Sequence, residues 1–153
     1  MKKRYWLTIL ILTICGASTF YLLNEEKPLT ESEKILQQAS GGSSAAQFNL
    51  GVMYDKGDGV TQDYKEAFKW YELAAKQGFA EAQYNLGLMY EKGQGAIENY
   101  LLAHAYLNLA ASSGDKDAAT YRDTLSTKMT SEQLAEAQKL AKELSENIKA
   151  NSK

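Results

Sequence analysis

One cysteine, one proline and one histidine are all that 153 residues hold of the side chains on which disulfide scaffolds, chain breaks and many metal sites depend. Cys15 sits in an apolar N-terminal run, so the rest of the chain has no disulfide and must be stabilised by packing alone. His104 has no cysteine or second histidine to complete a metal set, and reads as a packed or solvated imidazole instead of a general base. Gly-x-Gly occurs at Gly57 and at Gly93, but neither follows a strand or opens into a Lys-Ser or Lys-Thr pair, so no phosphate cradle is indicated. The acid pairs Glu25-Glu26 and Glu31/Glu33 fall in a tether and at a helix start, where solvated charge is the simpler reading. No catalytic residue, metal or cofactor is therefore expected.

A long hydrophobic run is present once. Lys2-Lys3-Arg4 precede Tyr5 to Leu23, which carries no charged residue. As a helix rising about 1.5 Å per residue this stretch nearly spans a bilayer core of about 30 Å. Three readings compete: an uncleaved anchor, a signal peptide cleaved near Cys15-Gly16-Ala17, and a lipoprotein acylated at Cys15. Phe20 to Leu23 carry the run past that site and Ile14 is bulky where a lipoprotein needs a small residue, so the anchor is favoured. With basic residues before the span and Glu25-Glu26 after it, the N-terminus is expected in the cytoplasm and the remainder exported. Without Lys2, Lys3 and Arg4, 14 basic residues face 19 acidic ones, a charge of about −5 that disfavours nucleic acid as a partner.

Beyond the tether at 24–29 the chain repeats itself. Gln47-Phe48-Asn49-Leu50-Gly51-Val52-Met53-Tyr54-Asp55-Lys56-Gly57 returns 36 residues later as Gln83-Tyr84-Asn85-Leu86-Gly87-Leu88-Met89-Tyr90-Glu91-Lys92-Gly93, and 16 of the 36 positions in units 43–78 and 79–114 are identical. Such a unit cannot bury its own apolar face and must stack on its neighbours. Each unit reads as a helix pair. Helix A of the first covers about Ser44 to Lys56 and ends at Gly57; helix B covers about Asp63 to Gln77, with Asp63 as cap and Ala67, Tyr71 and Ala74 on one face. The second unit repeats this with Asn99 as cap and Ala103, Leu107 and Ala110 inward. Gly51 and Gly87 lie inside helix A, where glycine costs about 1 kcal/mol against alanine, which makes sense if helix B crosses there. Leu50, Met53, Tyr54, Trp70, Tyr71, Leu86, Met89 and Tyr90 are assigned to the core.

Before the repeats, 30–42 predicts a capping helix that starts at Thr30-Glu31-Ser32-Glu33 and turns Ile35, Leu36 and Ala39 inward. After them, 115–153 predicts a decayed third unit, with Arg122 and Asp123 where Leu86 and Gly87 stood. A final helix opened by Thr130-Ser131-Glu132-Gln133 follows, its stripe of Leu134, Ala137, Ala141, Leu144 and Ile148 forming a lid on the stack. The expected fold is all-α: an α/α solenoid of about two and a half repeats with a C-terminal capping helix, behind one N-terminal transmembrane helix.

The pattern Ala-x-Ala-Gln-Tyr-Asn-Leu-Gly-x-Met-Tyr-x-x-Gly-x-Gly, then Asp-Tyr-x-x-Ala-x-x-Trp-Tyr-x-x-Ala-Ala-x-Gln-Gly, resembles the Sel-like repeat, a relative of the tetratricopeptide repeat. The resemblance implies a non-enzymatic adaptor that holds a protein partner, as family members do in signalling, secretion and envelope assembly. It also places a groove on helix A, lined by Ala45, Phe48, Val52, Asp55 and Lys56 and by Glu81, Tyr84, Leu88, Glu91 and Lys92, with inter-helix packing as the competing role for Phe48 and Tyr84. The expectation is a monomer at the bacterial inner membrane with its repeats in the periplasm, or a periplasmic form after signal cleavage, binding one protein or peptide. Immunity against a toxic effector and regulation of an envelope enzyme both fit. A disulfide-rich branch described as binding β-lactam-like ligands is the enzymatic alternative, and this chain lacks its paired cysteines.

Overall fold

A computed structural model describes residues 29–151; the expected anchor at 1–23 and all but the last residue of the tether lie outside the described residues. Seven helices follow one another: α1 (Glu31–Ser40), α2 (Ser44–Lys56), α3 (Tyr64–Lys76), α4 (Ala80–Lys92), α5 (Tyr100–Ser112), α6 (Lys116–Ser126) and α7 (Ser131–Asn151). The described residues include no strand, and none of these helices is long and apolar enough to cross a membrane.

Local chemistry accounts for most boundaries. The Asp63 carboxylate accepts from the Lys65 and Glu66 amides, the Asn99 carboxamide accepts from Leu102, and Asp115 does the same for Ala118. These bonds satisfy amides that the first helical turn leaves without partners. Helices α2 and α4 stop at Gly57 and Gly93, whose φ of 74° and 66° let their amides return to Met53 and Met89. At α7 the capping box is reciprocal: the Gln133 amide donates to Thr130 Oγ1 at 3.3 Å and the Thr130 amide to Gln133 Oε1 at 2.9 Å.

Each A helix packs on its B helix at the glycine. A Cβ on Gly51 would stand 2.6 Å from Cδ1 of Tyr71, and one on Gly87 would stand 2.8 Å from Cγ of Leu107 and 3.1 Å from the Ala103 carbonyl. The crossing therefore requires glycine. Around it Leu50, Tyr71, Leu86, Met89 and Leu107 are buried, with Met53, Tyr54, Trp70 and Tyr90 packed against them. The Tyr71 hydroxyl, sealed from solvent, faces Asp55 and Asn85 without closing a hydrogen bond to either.

The repeat frame extends one helix further back than the sequence pattern. Gln47 Nε2 donates to the Ala39 carbonyl at 3.2 Å and Gln83 Nε2 to the Ala75 carbonyl at 3.3 Å, the same bond 36 residues apart. Helix α1 thus occupies the place of a helix B that precedes the first full unit. Ala39 is buried and Ile35 half-buried as expected, but Leu36 is 46% exposed. It corresponds to the half-buried Glu72 of α3, a position that does not face the core.

The expected lid also takes a different course. Helix α7 does not close the end of the stack beyond α6; it packs along α5 and reaches the end of α3, where Ile148 lies against Gly78 and lines a cavity of about 290 Å³ with Ala75, Lys76, Tyr106 and Leu144. Its stripe is the expected one, with Ala137 and Ala141 buried and Leu134, Leu144 and Ile148 half-buried. The reason is apolar supply: α5 offers Tyr106 and Leu109, whereas α6 carries exposed Thr120, Asp123 and Thr124. A lone helix face with those residues needs no cover.

Candidate functional site

Helices α2, α4 and α6 form one face, which α7 leaves uncovered. Its polar residues are graded. Lys56, Lys92 and Lys128 stand 36 residues apart at or just beyond the C-terminal ends of these helices, while Glu81 and Asp117 stand in the first turns of α4 and α6. Helix dipoles favour that distribution by themselves. Lys128 Nζ closes a 3.0 Å ion pair with Glu91 across to α4, so part of this edge is internally neutralised.

The positions expected to line the groove share this face but differ in availability. Phe48 is half-buried, its ring 5.1 Å from Phe79 and 5.8 Å from Tyr71, and Val52 and Tyr54 pack into the same cluster. Asp55 turns toward the buried Tyr71 hydroxyl, whose pKa is pushed up by burial and by that carboxylate. Glu91 is held by Lys128, while Lys56, Glu81 and Lys92 are exposed. Tyr84 meets Tyr121 of α6 edge to face at 5.7 Å, and Leu88 is half-buried one turn along.

Tyr121 was not among the residues singled out by the sequence. It occupies the register position of Asn85, in a unit whose pattern has decayed, so the repeat gives no signal that would have drawn attention to it. Burial, with Tyr121, Asp117 and Asp115 around it, pushes the Tyr84 phenol up to about 12. That phenol stays neutral at any physiological pH.

His104 is packed, 4% exposed, at the register position of Phe68. Nε2 lies 3.1 Å from Ser126 Oγ, whose own proton goes to the Arg122 carbonyl, so Nε2 carries the hydrogen and Nδ1 is left as a buried lone pair without a partner. Burial, then the nearby Arg122 guanidinium, lower its pKa, with Asp123 opposing. A lowered folded value means the unfolded chain binds the proton more readily. This contribution to stability should be complete above about pH 6.5 and decline as pH falls below it toward the folded value. His104→Phe should flatten the acid side of a melting-temperature profile in that window, and parallel profiles would remove the assignment.

No group of three or more histidine, cysteine, aspartate or glutamate side chains among the described residues is arranged to hold a metal. A depression of about 720 Å³ forms an open trough between the turns of successive units, lined by Tyr64, Lys65, Gly95 and Ile97 among others. It brings together no cluster of reactive side chains. Helix pairs repeating every 36 residues around glycine crossings, with one uncovered face of A helices, define an α/α repeat scaffold.

Two consecutive matches to the Sel1 repeat model, over residues 44–79 and 80–115, fall on these two helix pairs. A crystal structure of a Sel1 repeat protein from Oxalobacter formigenes shares 41% identity with the chain, covering 59% of it and 68% of that protein, with a TM-score of 0.58. The chain belongs to the Sel1 repeat family. It also superposes with a TM-score of 0.73 and 34% identity on c5321, a protective antigen of uropathogenic Escherichia coli displaying an SLR fold, over 76% of this chain and 25% of that one. Among curated proteins it is 37% identical over 65 residues to the chitin synthase regulator SKT5 of Saccharomyces cerevisiae and 39% identical over 69 residues to chitin synthase regulatory factor 3 of Schizosaccharomyces pombe. The chain spans only 9% and 7% of those two proteins.

Proposed function

We propose that this chain is a non-enzymatic protein-interaction module that holds one protein partner on the face of α2, α4 and α6. The observation that carries the reading is the uncovered A-helix face itself. Helix α7 packs against the B helices and leaves Tyr84, Leu88 and Tyr121 accessible beside the exposed Lys56, Glu81 and Lys92, a mix of apolar and charged groups suited to an extended or helical peptide. The regulators of chitin synthase named above are consistent with a regulatory adaptor, though the similarity spans only a small part of each. Residues 1–23 support membrane anchoring with the repeats exported to a bacterial periplasm, where a small repeat module could serve as an immunity protein or as a regulator of an envelope enzyme.

The test is recovery of a partner by the full chain in mild detergent, compared with a Tyr84→Ala, Leu88→Ala double variant of matched helical content. Loss of a specific partner in the variant is expected. Equal recovery would move the binding site off this face. Turnover of a chromogenic β-lactam by the purified chain would instead favour the enzymatic alternative, although no paired cysteines support it.

A further inference from the structure

The two units differ most informatively where they should be the same. In the first, the Phe48 ring is closed over by Phe79 at 5.1 Å and by Tyr71 at 5.8 Å. One unit later the same three positions are Tyr84, Asp115 and Leu107. The aromatic lid has become a carboxylate, and the position of Asn85, which lies by the Tyr71 hydroxyl, is taken one unit later by Tyr121. Tyr84 therefore pairs with Tyr121, and that partner is 46% exposed. The result is an open aromatic corner where the first unit has a closed one.

The charged side chains that act on the Tyr84 phenol are both acidic. Asp115 and Asp117 both act on the Tyr84 phenol, and Glu81 sits one turn before it on α4, in the place of Ala45 in the first unit. Lys56, Lys92 and Lys128 lie at the other ends of the helices, Lys128 engaged by Glu91, while Lys116 alone stands at this end, between Asp115 and Asp117. A tyrosine pair bordered by carboxylates attracts a cation through the ring faces and through the carboxylates together.

We propose that the Tyr84–Tyr121 corner is the specificity pocket of the A-helix face and receives an arginine or lysine side chain from a basic segment of the partner protein. This rests on the reading of that face as the partner surface. An acidic or purely apolar segment would leave Glu81, Asp115 and Asp117 without compensation beside it. The guanidinium is the better fit of the two, since it stacks on an aromatic ring while its edge bonds carboxylates.

The probe is a fluorescent, acetylated and amidated Gly-Arg-Leu-Arg-Gly peptide, titrated by anisotropy against the full chain in non-ionic detergent. Its counterparts carry citrulline, which keeps the shape and removes the charge, or glutamate. The arginine peptide should bind about ten-fold more tightly than the citrulline one. Glu81→Gln with Asp117→Asn should remove most of that difference, as should raising the salt. Asp115 is left alone because it caps α6. Equal binding of arginine and citrulline peptides, preference for glutamate, or absence of arginine-peptide binding into the millimolar range overturns the proposal. If both peptides bind equally and Tyr84→Ala, Leu88→Ala abolishes both, the groove stands and only its charge preference falls. Should the arginine preference survive Tyr84→Ala, Leu88→Ala, the cation is bound elsewhere and the proposal also falls.

Discussion

Gly87→Leu is expected to lower the melting temperature by several degrees, although it removes a poor helix former from the middle of α4. The intrinsic helix preference gained is about 1 kcal/mol. Against it, the first added carbon already stands 2.8 Å from Leu107 Cγ and 3.1 Å from the Ala103 carbonyl, and the carbonyl belongs to a helix backbone that cannot turn aside. Overpacking of this kind costs about 1–3 kcal/mol for a few methylenes, and a full leucine at the crossing should reach the upper end or force α4 and α5 apart. At about 4 °C per kcal/mol, the net loss is about 4–8 °C. Leu107→Ala should cost about 2–5 kcal/mol by itself, since that side chain is fully buried. Adding Gly87→Ala to the Leu107→Ala chain should then be milder than adding it to the wild type, because the space is already vacated. Additive effects, or a Gly87→Leu melt like that of the wild type, would sink this account of the glycine.

Removing α7 should be more damaging still. A chain ending at Met129 would uncover Tyr106, Leu109 and the end of α3, and would lose the burial of Ala137 and Ala141 with the partial burial of Leu134, Leu144 and Ile148. Fully burying one large aliphatic side chain contributes about 1.5–3 kcal/mol, so the strap supplies on the order of 5 kcal/mol, comparable with the whole stability of many domains. The truncated protein is expected to melt without cooperativity or to aggregate. Ile148→Asp gives a graded version, disturbing one side chain of the stripe where it meets Gly78, the end of α3 and Tyr106. It should lower the melting temperature by a few degrees and raise amide exchange at the C-terminal end of α3. Unchanged exchange there would mean that α7 does not brace the first unit.

Most of the framework was legible in the residues because its causes are local. The bounds of α2 match the expected ones, those of α3 fall within a residue, and the caps at Asp63, Asn99 and Thr130 form as their side chains dictate. The glycine at each crossing was legible for a different reason: a costly residue placed twice at the same register implies a neighbour that demands it. Leu36 misled because a short helix before the repeats looks like an independent amphipathic segment. It becomes intelligible only as an incomplete helix B, with its inward face set by the unit that follows.

The site was less legible. Ten positions were picked by their register on helix A, and register says which way a side chain leaves its helix but not what meets it. Phe48 and Tyr84 are equivalent in sequence, yet one is roofed by Phe79 and the other lies beside Asp115 and Tyr121. Asp55 and Glu91 are equivalent too, and turn to a buried phenol in one unit and to Lys128 in the next.

By itself, then, the sequence determined a 36-residue helix pair, where each helix starts and stops, and which face of each is apolar, since propensity, capping and periodicity act over a few neighbouring residues. Only the tertiary structure decided that α7 straps the B helices in place of closing the end of the stack, that α1 continues the repeat, and that the face of A helices is closed at its first unit and open at its second. Those outcomes depend on which distant side chains arrive at one place, and a repeat makes such places look alike until their neighbours are seen.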